Sequence, residues 1–261
     1  MANGRTAACL AVGSELLGEV RLDSNSLAIT RTLARHGFRV VEKRVVGDSE
    51  EAVAAAITEL LSRVDVLILT GGLGPTADDI TREAIARALG RELETDPQVE
   101  GLVRAAYTTR GRAVPEASLR MAQVVRGARI LANRKGVAPG LLITIRDRLL
   151  VALPGVPWEM ADMLEREVEP ELALRGGGTR RFSRTLLLGG VYESLVEEQV
   201  QEAPPASSLG CPEPAPDLGV LPRRAGAAVT VVEHHPLRLG MGGAPGVDQL
   251  LSSRQGRATG Q

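Results

Sequence analysis

The chain begins its pattern with an apolar run, TAACLAVG (residues 6–13), that has no polar face and ends on glycine. A short run that is apolar on both faces predicts a strand buried on both sides. In DSNSLAITRTLARHG (23–37), Leu27, Ile29, Leu33 and Ala34 follow the helical period between a polar start and Gly37. That is the pattern of a capped helix. FRVVEKRVV (38–46) is valine-rich and predicts a strand, and SEEAVAAAITELLSR (49–63) predicts a second helix behind a serine and two glutamates. VDVLILT (64–70) is the clearest buried strand; DDITREAIARALG (78–90), closed by Gly90, is the clearest helix. Strands alternating with helices of this length make βαβ units. The expected fold class is therefore α/β: a doubly wound, mostly parallel sheet with helices on both faces.

The pattern then changes. PQVEGLVRAAYTTRG (97–111) and PEASLRMAQVV (115–125) predict helices, and GLLITIRDRLLVALPG (140–155) predicts two strands around an Arg146-Asp147 turn. WEMADMLEREVEPEL (158–172) predicts a closing helix, and RGGGTRR (175–181) reads as a linker. We therefore expect a first domain over residues 1–174 and a small α+β lobe over 175–233, with AAVTVVE as one of its strands. From residue 234 the period is lost and glycine is frequent, so a disordered tail is expected over 234–261.

Composition narrows the function classes. Of 261 residues, 44% are apolar but only 2% aromatic, so the core must be built from Leu, Val, Ile and Ala. A net charge of −1 argues against a nucleic-acid partner, which usually calls for a basic face. The two cysteines, Cys9 and Cys211, show neither metal spacing nor a disulfide framework. A reducing cytoplasm is the expected compartment. No run approaches the ~20 apolar residues of a membrane span, so no membrane association is expected.

In a doubly wound sheet, ligands bind beyond the carboxyl ends of the strands. Four places qualify: Gly13-Ser14-Glu15, Gly47-Asp48, the segment LTGGLGPTADDIT (69–81), and Pro154-Gly155. Gly71, Gly72 and Gly74 allow close approach of backbone to a ligand, and a helix starting near Asp78 would aim free N–H groups at the same space. A plain strand-to-helix turn, with Thr76 and Asp79 as a capping box, accounts for the same residues. Adjacent aspartates repel phosphate unless a cation lies between, so the turn suits a metal–phosphate site better than a bare anion pocket. Asp78 and Asp79, neighbours on a helix, would diverge by about 100°. Asp48, brought alongside from another strand end, is the better partner for Asp79, although it could equally cap the helix at SEEAV. A helix N-terminus contributes only about 0.3–1 kcal/mol to anion binding. Cleavage needs ~8 kcal/mol or more, which calls for a divalent ion and an oriented water. In NRKGVAPG (133–140), Arg134 and Lys135 beside glycines could meet phosphate, or form a solvated loop. Trp158 reads as packing or as a ring platform. No serine–histidine or cysteine nucleophile is supported: Cys9 lies inside an apolar strand and reads as core.

Taken in order, VGSELLGEVRLDSNS, VVGDSEE, LTGGLGPTADDITREAIA, NRKGVAPG and LPGVPWEM closely resemble the N-terminal domain of the competence/damage-inducible protein A (CinA) family, a branch of the molybdopterin-binding MoaB/Mog-like superfamily. The resemblance is strong over residues 7–172 and weaker through SRTLLLGGVYESLVEE. It implies a doubly wound domain, a homo-oligomer, and a nucleotide or pterin phosphate ligand at the strand ends. It further implies ADP-ribose pyrophosphatase activity with a divalent metal, Mg2+ foremost, or adenylylation of molybdopterin phosphate, or nucleotide binding without catalysis. By resemblance, Asp48 and Asp79 are the catalytic and metal-holding residues. Gly13, Ser14, Glu15, Gly71, Gly72, Gly74, Thr76, Asp78, Asn133, Gly136, Ala138, Pro139, Gly140, Pro154 and Gly155 are the candidate ligand contacts. Ser14 stands where threonine is common, and Tyr192 where a small glycine is usual. The C-terminal nicotinamide-nucleotide amidase domain of longer members has no counterpart in the pattern here, so that activity is not expected of these residues.

Overall fold

The computed structural model describes residues 5–19, 21–109, 111–176, 179–189, 194–195, 198, 217–223 and 226–236. The chain divides into two units, Met1–Gly177 and Gly178–Gln261.

In the first unit, β1 (Thr6–Val12) leads to α1 (Ser24–Arg35), β2 (Arg39–Val46), α2 (Glu50–Arg63) and β3 (Val66–Thr70). Then come α3 (Thr81–Leu89), β4 (Leu93–Thr95), α4 (Pro97–Thr108), β5 (Gln123–Val125), β6 (Arg129–Leu131), β7 (Gly140–Ile145) and β8 (Arg148–Leu153). Two helical segments, α5 (Pro157–Met163) and α6 (Glu169–Arg175), close the unit. The main sheet has the order β2-β1-β3-β8-β7-β6; β2, β1, β3 and β8 run parallel, and β7 is antiparallel to both its neighbours, β8 and β6. Strand β3 is buried throughout, as its unbroken apolar run requires in a sheet covered on both faces. One face packs Val53, Ile57 and Leu60 of α2 and Ile85 of α3 against Leu10, Leu67 and Leu69. The other packs Ile29 and Leu33 of α1 and Met160 and Met163 of α5 against Cys9, Ile68 and Val151. The doubly wound, mostly parallel α/β architecture is thus present.

The caps explain the helix starts. Asp23 caps α1 by accepting from Ser26 N, and Ser49 caps α2 by accepting from Ala52 N. Asp48 is therefore not the cap of the SEEAV helix. Three expectations need correction. Helix α3 begins at Thr81, not near Asp78, and its N-cap position is Ile80. PEASLRMAQVV is not a regular helix: Glu116–Ala122 is a 3-10 stretch and Gln123–Val125 is β5, paired antiparallel with β4. That pairing joins residues about thirty apart in sequence, which a local period cannot reveal. The closing helix changes winding at Leu164–Val168, a π-helical stretch between α5 and α6. Pro170, which lacks an N–H and crowds the turn before it, follows directly and accounts for the change.

In the second unit, β9 (Thr179–Gly189), β10 (Asp217–Arg223) and β11 (Gly226–Pro236) form an antiparallel sheet ordered β10-β11-β9. RGGGTRR, read as a linker, is divided between the end of α6 and the start of β9. Strand β11 runs past Glu233: His234 pairs with Arg181 and His235 with Arg180, held by backbone and not by side-chain period. Tyr192, Cys211 and the tail after Pro236 lie outside the described residues.

Candidate functional site

The strand order reverses around β1: α1 carries the chain to β2 on one side, and α2 carries it to β3 on the other. A crevice opens at the carboxyl ends of strands at such a point. Here it is a cleft of about 280 Å³ whose walls include Glu15, Asp48, Asp78, Asp79 and Glu159. Among the described residues, Arg21 is the one basic residue of its lining.

Of the sequence candidates, Gly13, Glu15, Asp48, Gly71, Gly72, Gly74, Asp78, Asp79, Ala138, Pro154 and Gly155 line the cleft. Ser14, Thr76, Asn133, Gly136, Pro139 and Gly140 do not. Ser14 supports from behind: its N–H donates to Asp48 Oδ2 at 2.9 Å and its Oγ accepts from Asp48 N at 3.1 Å. Thr76 does the same for Asp79, whose Oδ2 accepts from Thr76 N at 2.9 Å and from Thr76 Oγ1 at 2.5 Å. This turn precedes α3 and does not cap it. The neighbouring Thr76 side chain also holds the Asp78 carboxyl below its ordinary value. Asp48 and Asp79 each leave Oδ1 without a protein partner among the described residues.

Two points differ from expectation. Because β1 lies between β2 and β3, the Asp48 loop and the glycine turn flank the Ser14-Glu15 loop and are not immediate neighbours. Asp78 and Asp79 precede the helix, so the 100° divergence does not apply, and both line the cleft. Asn133 acts indirectly: its Nδ2 donates to Glu159 Oε2 at 2.7 Å and to Ala138 O at 2.8 Å. Gly136 lies so close that a Cβ there would run into the Glu159 carboxylate. Gly140 is buried in β7, where a Cβ would meet Ala152 O at 2.8 Å, so it is a packing position.

The glycine turn is shaped by the start of α3. Gly71 and Gly72 have φ of 102° and 65°, the left-handed region that glycine tolerates. A Cβ on Gly71 would run into Val12 O, and one on Gly72 into Thr81 Oγ1. Several residues that position the site had no sequence signal of their own. Asn25, 8% exposed, donates from Nδ2 to Thr70 Oγ1 at 2.9 Å and to Gly155 O at 2.8 Å, tying α1 to the ends of β3 and β8. Asp23, Arg21 and Glu159 also reach the cleft. Only the quoted DSNS and PWEM segments hinted at Asn25 and Glu159.

Among the described residues, no helix is long and apolar enough to cross a membrane, and no three His, Cys, Asp or Glu side chains cluster to hold a metal.

Known proteins share this architecture. The family described as "Probable molybdopterin binding domain" matches residues 8–174. A CinA-like protein of Deinococcus deserti is 42% identical over 199 residues, covering 75% of this chain and 48% of that protein. A CinA-like protein of Desulfosudis oleivorans is 38% identical over 196 residues, covering 74% of this chain and 48% of its own. The chain thus spans about half the length of the curated relatives it matches. The crystal structure of CinA from Thermoplasma acidophilum, a protein described there as of unknown function, is 31% identical with a TM-score of 0.61, covering 66% of this chain and 99% of that one. Sequence, fold and the order of motifs around the cleft agree: the chain belongs to the CinA-like family, and residues 8–174 are its molybdopterin-binding-type domain.

Proposed function

We propose that the cleft binds a nucleotide diphosphate and that the protein is a metal-dependent pyrophosphatase acting on ADP-ribose or a similar compound. One observation carries this reading. Asp48 and Asp79 line one cleft beside a glycine turn, and each is fixed through Oδ2 with Oδ1 left over. The donors are hard oxygens, and among the described residues no three His, Cys, Asp or Glu side chains cluster. That set fits an ion that takes one or two carboxylates and fills its shell with water and substrate phosphate, as Mg2+ does. It does not fit an all-protein zinc cage. Asp48 and Asp79 would hold the ion, which when bound would offset pyrophosphate charge and lower the pKa of a coordinated water. The chain's own contribution is positional. Ser14 and Thr76 fix the two aspartates, and the turn at Gly71–Gly74 receives the phosphate. Asn25 keeps the ends of β3 and β8 together beneath them.

The family match favours a second reading, a molybdopterin-binding protein that handles the pterin phosphate. Purified protein incubated with ADP-ribose and Mg2+, with and without chelator, and in parallel with molybdopterin and ATP, separates the two. The pyrophosphatase reading predicts release of AMP that stops on chelation. Turnover of molybdopterin alone overturns it, and saturable binding without turnover of either compound leaves a nucleotide-binding role in its place.

A further inference from the structure

Arg82 is the largest fully buried side chain among the described residues, 1% exposed. In the sequence it sits in the polar stretch DDITREA, where an arginine reads as part of a solvated helix face. Among the described residues it makes no ion pair: the adjacent Glu83 pairs with Arg120 instead. Its Nη1 donates to Leu73 O at 2.5 Å and its Nη2 to Gly74 O at 2.8 Å, while Nε has no partner among the described residues. Two neutral carbonyls satisfy two donors of a guanidinium, but they do not cancel its charge. Burying a cation with no directly paired carboxylate is costly: burial pushes the Arg82 pKa down, and the nearby Glu83 and Asp79 charges offset only part of this. Arginine nonetheless stays protonated in proteins.

Thr81 completes the arrangement. Its Oγ1 donates to Gly71 O at 2.8 Å and its N–H to Gly72 O at 3.0 Å. The four successive carbonyls of residues 71–74 therefore all face Thr81 or Arg82. The N–H groups of Gly72, Leu73 and Gly74 have no acceptor among the described residues. A row of free N–H groups in a turn makes an anion-binding concavity. All three residues line the cleft.

We infer that Arg82 is the positioning residue and fixed counter-charge of an oxyanion site built from the Gly72–Gly74 amides, which takes the terminal phosphate of the ligand. The inference rests on the phosphate-ligand reading above and assigns that site its positive charge. Arg82 does not touch the ligand; it holds the carbonyls back and supplies potential from behind the turn. The bound anion in turn balances the buried cation. Carboxylates, Asp79 beside Gly74 among them, dominate the remainder of the cleft, so the turn amides backed by Arg82 are its positive end.

The test compares wild type, Arg82→Lys and Arg82→Met by calorimetry with adenosine, AMP, ADP and inorganic pyrophosphate. Wild type should bind more tightly as phosphates are added. Arg82→Met should lose about tenfold or more on ADP and pyrophosphate and leave adenosine unchanged. Arg82→Lys should fall between, because one ammonium cannot span two carbonyls as a guanidinium fork does. An equal loss on every ligand, or an unchanged phosphate dependence in folded variants, overturns the inference and leaves the phosphate reading standing. Absence of any phosphate dependence in wild type overturns the phosphate reading, and the inference falls with it. Should either variant fail to fold, the wild-type protein decides. The Arg82 Nε–H resonance and the Gly72 and Gly74 amides should shift on adding pyrophosphate, and an unmoved Arg82 signal contradicts the inference.

Discussion

Asp48 and Ser14 hold each other reciprocally: Ser14 N donates to Asp48 Oδ2 at 2.9 Å, and Asp48 N donates to Ser14 Oγ at 3.1 Å. The pair joins the loop after β1 to the loop after β2. It also frees Asp48 from helix capping, which Ser49 performs. Ser14→Ala removes one of the two bonds. It should cost about 1 kcal/mol of stability and lower turnover several-fold by loosening Asp48. Ser14→Thr, which keeps the hydroxyl, should restore both; urea denaturation and initial rates on the same preparations check this.

Gly71 tests the turn geometry. Its φ of 102° and the position of Val12 O leave no room for a Cβ. Gly71→Ala should lose roughly 2 kcal/mol or more of stability, from strain and steric shift together. A urea midpoint equal to that of wild type would contradict the close packing of this turn on β1.

Asn25 is a clamp, and its role is read from a comparison of two variants. Asn25→Ala removes the bonds to Thr70 Oγ1 and Gly155 O and should cost about 2 kcal/mol. Asn25→Asp should be worse despite its similar shape, because a carboxylate oxygen would then face Gly155 O. Equal stability of the Asp variant and wild type would mean that the Nδ2 donor is not needed.

Cys9 gives the alkaline side of the stability curve. Burial pushes its thiol up from 9.0 to about 11, and the contact from Thr30 offsets only part of this. In the unfolded chain the thiol ionises near ~8.5. The unfolded state therefore releases its proton first as pH rises. The stabilisation is full below about pH 8.5, declines above it, and is lost as pH passes through about 11. A rise from about 8.5 unfolded to about 11 folded corresponds to about 3.4 kcal/mol. Denaturation midpoints measured from pH 8 to pH 11 should fall more steeply in wild type than in Cys9→Ala; parallel slopes would contradict the assignment.

Much of this was legible along the chain, for identifiable reasons. The strands β1 and β3 are unbroken apolar runs, and α2 carries both a serine cap and a regular period. The glycines at 71, 72 and 74 announced a turn that backbone must approach closely. Other features depend on distant partners. β5 exists because β4 pairs with it, and its three residues carry no period. Arg82 could not be read as buried, because its neighbours Asp78, Asp79 and Glu83 surround it with charge in sequence while the turn covers it in space. The places of Asp48 and Asp79 at one cleft were legible from motif order, yet the strand order that places β1 between their strands was not.

The joint action of Asp48 and Asp79 is the central claim, and one set of rates tests it most directly. ADP-ribose hydrolysis with Mg2+ is measured for Asp48→Asn, Asp79→Asn and the double variant, with Asp96→Ala as reference. Asp96 caps α4 by accepting from Gln98 N and Val99 N, so that change should cost about 1 kcal/mol of stability and no turnover per folded molecule. Groups that serve one step do not add when removed together. Each single Asn variant should lose turnover by orders of magnitude, and the double variant should be little worse than the poorer single. Singles that behave like Asp96→Ala, or losses that multiply in the double variant, would contradict a shared metal–phosphate centre.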